Sequence, residues 1–92
     1  MDLKRIYNNK ARFVVREIGD ELILVPLTGN VAKMNEMFTM NETGKFIWEN
    51  ITETTTVEEL EQAVTNEFSI DPDTARKDIE LFLNQLVAKL NI

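Results

Sequence analysis

The side chains able to do acid–base chemistry in this chain are few and fall in one kind of place. There is no cysteine and no histidine, which removes disulfides, thiolate metal sites and the commonest acid–base group and metal ligand. Carboxylates, lysines, hydroxyls and Tyr7 remain. Glu58-Glu59, Glu59 with Glu61, and Asp71 with Asp73 bring carboxylates close together, a spacing that paired acid–base work or a cation would need. Each pair also falls at the start of a predicted helix, where the helix dipole and the free N–H groups favour acids without any catalytic role. The three glycines, at 19, 29 and 44, are scattered, so there is no glycine-rich phosphate loop. The expectation is a non-enzyme with no catalytic residue, no metal and no cofactor.

Charge narrows the partners. The net charge is −6, but it is unevenly spread. Residues 1–33 hold six basic and four acidic side chains, a balance of +2, whereas residues 34–92 hold four basic and twelve acidic ones, a balance of −8. An acidic half repels a phosphate backbone, which is gripped by clustered Lys and Arg. No apolar run reaches the roughly 18–20 residues of a membrane helix, and no secretory segment opens the sequence. A soluble cytoplasmic protein without nucleic-acid or membrane partners is expected, with residues 1–92 as a single domain.

The elements that would position a site divide into strands and then helices. Residues 1–12 show little periodicity, and an extended or loose arm is expected there. Phe13–Ile18 is β-branched and aromatic, and reads as strand one. Gly19-Asp20 suits a type II′ hairpin, and Glu21–Val25 reads as strand two. Pro26 should end regular pairing or mark a bulge, because it has no N–H to donate. Thr28-Gly29-Asn30 reads as a turn and Asn35–Met40 as a third strand at the sheet edge. The first helix runs from Glu42 to Ile51, with Asn41 as its cap. Thr56-Val57-Glu58-Glu59 is a capping box opening the second, whose core stripe is Val57, Leu60, Val64 and Phe68. Asp71-Pro72 opens the third, with Ala75, Ile79, Phe82, Leu83, Leu86 and Leu90 as its stripe. The fold class is α+β, a winged-helix-like β-β-β-α-α-α order built on a three-stranded antiparallel meander.

Met40-Asn41-Glu42-Thr43-Gly44-Lys45-Phe46-Ile47-Trp48 stands where strands give way to helices. Gly44, Ile47, Trp48 and Ile51 share one helix face, so a capped helix with an aromatic core anchor accounts for the pattern. The same stretch resembles the L-N-E-T-G-x-x-I-W signature of the PqqD-like family, with Met40 in place of Leu. The resemblance continues through Phe13-Val14-Val15-Arg16-Glu17, the Gly19-Asp20 turn, Thr56-Val57-Glu58-Glu59-Leu60 and Asp78-Ile79…Phe82-Leu83…Leu86, so it covers nearly the whole chain. Members of that family are recognition elements for ribosomally made, post-translationally modified peptides. They hold the leader part of a precursor peptide for a modifying enzyme such as a radical-SAM protein.

That resemblance implies that a peptide adds as a strand to the edge of Asn35–Met40, through Glu36, Met37, Phe38 and Thr39, with its apolar side chains entering a groove beside the third helix. Asp78 and Phe82 stand where the family has D-x-x-x-F-L, and Gln85 lies on the same flank, within about 60° of both. A solvated acid, a core aromatic and a surface amide describe these three equally well. Two other functions fit the residues. The second and third helices are spaced like a DNA-reading pair, but the reading helix would present Asp71, Asp73, Asp78 and Glu80 beside Arg76 and Lys77. A protein–protein adaptor with no peptide client is the other; Leu81, about 150° from the centre of the core stripe, and the open strand edge would serve it.

Overall fold

Two runs rich in β-branched and large apolar residues, within residues 13–28, build the first ladder. The computed structural model describes residues 3–28, 31–32 and 37–90. In it β1 (Phe13–Ile18) pairs antiparallel with β2 (Glu21–Thr28), from Phe13 opposite Pro26 to Ile18 opposite Glu21. The two-residue link works because Gly19 takes φ +60°. Ser69 is the only described non-glycine residue at positive φ, so Asp20 does not share that conformation, and the turn follows the II′ pattern.

Strand two does not stop where proline was expected to end it. The ladder includes Pro26, and β2 runs on to Thr28. The reason lies in the neighbouring ladders. On β2 the further pairings are Leu22–Leu24 with β4 (Phe38–Met40) and Leu27–Thr28 with the two-residue β3 (Val31–Ala32). Pro26 falls between these two segments and forms the last pair with β1, positions where a missing donor disrupts least. The third strand is thus realised in two pieces rather than as Asn35–Met40. Met37 precedes β4 without joining it, and Asn35 and Glu36 lie outside the described residues.

The helices follow the expected order. α2 (Glu42–Asn50) is capped by Asn41, whose Oδ1 accepts from the Gly44 N–H at 2.9 Å. α3 (Val57–Phe68) opens on the complete Thr56–Glu59 capping box and ends on Ser69 in the left-handed region. α4 (Pro72–Leu90) begins behind Asp71, whose carboxylate accepts from the Asp73 and Thr74 N–H groups and from the Thr74 hydroxyl. These acceptors satisfy donors that the first helical turn leaves free. They also hold the Asp71 carboxyl below its ordinary value, the Thr74 hydroxyl being the largest cause.

Residues 3–12 are neither extended nor loose. Leu3–Asn9 forms a helix, α1, continued by a 3-10 turn over Lys10–Arg12. Leu3 and Ile6, three apart, are its buried residues, and that burial stabilises a helix too short to persist alone. The core joins Leu22, Leu24 and Met40 from the sheet to Ile47, Trp48, Leu60, Val64, Ile79, Leu83 and Leu86 from the helices, with Leu3 and Ile6 alongside. Met40 points inward while Met37 and Thr39 are exposed, as strand alternation requires.

Candidate functional site

β4 leads directly into the cap of α2, so the sheet edge and the first turn of that helix are joined covalently. The turn is drawn close to α4 because residue 44 has no side chain. A Cβ on Gly44 would stand 2.9 Å from Cε1 of Phe82 and 3.2 Å from Cβ of Met40, inside ordinary contact distance. Phe82 also lies beside Phe38, ring centroids 6.5 Å apart and tilted by 52°. One aromatic ring therefore links β4, α2 and α4.

Beside that ring lies a groove of about 210 Å³. One wall is Asn41, Thr43, Gly44 and Ile47; the other is Asp78, Leu81, Phe82 and Gln85. Ile47 and Phe82 are buried, Leu81 is 60% exposed, and Asp78 and Gln85 are exposed. Among the described residues the groove thus has an apolar floor, two amides and one hydroxyl at the rim, and one charged lining side chain, Asp78. Its arrangement suits non-covalent capture of a chain segment. Among the described residues no group of three or more acidic side chains is placed to hold a metal ion.

The expected site residues divide in two. Asp78, Phe82 and Gln85 come together on the groove wall. Phe38 reaches it only through its contact with Phe82, and Met37 and Thr39 lie exposed outside it. Glu36 lies outside the described residues. The start of α2 forms the described wall facing them in this groove, because Gly44 lets that helix close on Phe82. Asn41, Thr43, Gly44 and Ile47 were not among the expected contacts. The helix cap and the glycine three residues after it were visible in the sequence; their proximity to Phe82 was not. Leu81 stood out only as an apolar residue on a solvent face.

Several charges elsewhere are engaged. Arg76 on α4 donates Nε to Glu61 of α3 at 2.8 Å and a second N–H at 3.3 Å, and this carboxylate raises its basicity. Lys45 pairs with Glu17. Lys10 donates to the Trp48 carbonyl at 2.6 Å with its ammonium 4.8 Å from the centre of the Trp48 ring; burial lowers its pKa, and Glu49 acts in the opposite direction. With Arg76 tied to α3 and Asp71 and Asp73 at the opening of α4, the DNA-reading alternative gains no support from the charge arrangement. No helix among the described residues is long and apolar enough to cross a membrane.

A family model described as Coenzyme PQQ synthesis protein D (PqqD) matches residues 21–90. Comparison with curated proteins finds none that matches. Among solved structures, one described as TbiB1 in complex with the TbiA(beta) leader peptide is similar, at 29% sequence identity over 85% of each chain with a TM-score of 0.68. The matched span takes in β2, α2, α3 and α4, and with them every groove-lining residue.

Proposed function

Because this chain belongs to the PqqD family (coenzyme PQQ synthesis protein D), we propose that it is a non-catalytic recognition domain for the leader segment of a ribosomally made precursor peptide. The observation that carries this reading is the groove on α4 adjoining, through the Phe38–Phe82 contact, a sheet edge that no other described strand covers. An open edge presents free N–H and C=O groups to an extended segment. The leader's main chain pairs with β4, and its inward side chains enter the groove between α4 and the start of α2. Asp78, Phe82 and Gln85 are the contacts on the helix; Met37, Phe38 and Thr39 supply the edge, with Glu36 beside them in sequence. The similar solved structure, described as a leader-peptide complex, supports the same reading.

The domain then presents the held peptide to a separate modifying enzyme, a radical-SAM protein being one such partner, in the cytoplasm. The absence of histidine and cysteine from the sequence supports a binding role over a catalytic one. The test is titration of labelled protein with the precursor peptide encoded beside it, following backbone amide shifts. Perturbations should gather on residues 37–40 and 75–89. If they gather instead on the outer surface of Glu58–Glu67, or no peptide binds, this reading is lost.

A further inference from the structure

We infer that the groove selects a peptide carrying a basic side chain two residues from an apolar one, with Asp78 reading the charge; this rests on the leader-binding role proposed above. Among the described residues, Asp78 is the one charged side chain lining the groove. Asp78 takes part in neither ion pair described above, Lys45 with Glu17 or Arg76 with Glu61, and no described residue hydrogen-bonds to its carboxylate. Lys77, the next cation on the helix, points about 100° away around the axis. The carboxylate is therefore left to be matched from outside.

Two further observations agree on the sign and the spacing. Residues 34–92 carry a balance of −8, so the field around the groove disfavours an acidic segment beyond the contact itself, within a screening length of about 8 Å at physiological salt. Next to Asp78 the floor is apolar: Ile47 is fully buried, and Phe82 is flanked by the 60% exposed Leu81. Asp78 and Phe82 are four residues apart on α4, a rise of about 6 Å. Same-side residues of an added strand are about 6.7 Å apart. A strand laid along the helix thus sets one inward side chain at Asp78 and the next at Phe82. Gln85, roughly one turn further, is an amide able to meet a polar group or the peptide backbone.

The experiment selects a random library of twelve-residue peptides against the full chain and against its Asp78→Lys and Asp78→Asn variants. Circular dichroism melts confirm that each variant is folded. From the wild type, recovered peptides should be enriched in Lys or Arg two positions from Leu, Ile, Phe or Met. With Asp78→Lys the basic preference should give way to an acidic one, and with Asp78→Asn it should disappear. A selected basic peptide should bind wild type about tenfold more tightly than the same peptide with Glu at that position. Amide shifts should place both on residues 78–85. Peptides that bind at 78–85 with no charge bias, or with the same bias in all three proteins, overturn the charge selection and leave the leader-binding role standing. A library that yields no binder at this site overturns both.

Discussion

Trp48 sits in the helical layer at 4% exposure, with the Lys10 ammonium over its ring and bonded to its carbonyl. Removing the indole leaves a cavity in the core that the surrounding helices only partly close. Trp48→Ala should cost about 3–5 kcal/mol of folding stability, read from denaturant melts, the range for deleting a large buried aromatic. Gly44 poses the opposite problem. The methyl of Gly44→Ala would meet the Phe82 ring at 2.9 Å and Met40 at 3.2 Å. A loss of about 1–3 kcal/mol is expected, and a displaced Phe82 ring should fill part of the groove and weaken peptide binding in calorimetric titration. Binding that survives a destabilised Gly44→Ala would show that the ring's position does not shape the site.

The elements contribute their ends and their edges. The third helix of the chain's helical half, α4, starts on the Asp71 carboxylate, and the depressed pKa of that group gives this cap a pH dependence. A carboxylate whose folded pKa lies below its unfolded value contributes stability above the unfolded pKa and loses it as pH falls through the folded one. The Asp73 and Thr74 amide resonances should therefore hold their capped positions through the ordinary carboxylate range and shift only at lower pH, and an Asp71→Asn variant should lack that transition. At the sheet edge, alternate residues of β4 direct their N–H groups outward. One of Met37→Pro and Phe38→Pro should remove an outward donor and abolish peptide binding. Met37 is exposed, so its variant leaves the core intact, whereas Phe38→Pro also removes the ring against Phe82 and needs circular dichroism to show that it folds. Normal peptide affinity in both folded variants would rule out strand addition at β4.

For the molecule as a whole, the acidic helical half sets the partners. Duplex DNA should bind no more tightly than about 10⁻⁴ M at physiological salt, and sub-micromolar retention in a mobility assay would restore the regulator reading. The strand-to-helix order, the Gly19 turn, the Asn41, Thr56 and Asp71 caps and the stripe from Ala75 to Leu86 were all legible in the sequence. Each rests on interactions between residues a few positions apart, where spacing alone selects the geometry. α1 was less legible, because its helix depends on burying Leu3 and Ile6 in a core made by distant segments. The same holds for β2, which runs past Pro26 because of where its neighbours leave a gap. Asp78, Phe82 and Gln85 could be placed on one flank by helical periodicity. That the wall facing them is Asn41, Thr43, Gly44 and Ile47 was decided by tertiary structure alone, because it depends on how closely α2 approaches a ring thirty-eight residues further along the chain.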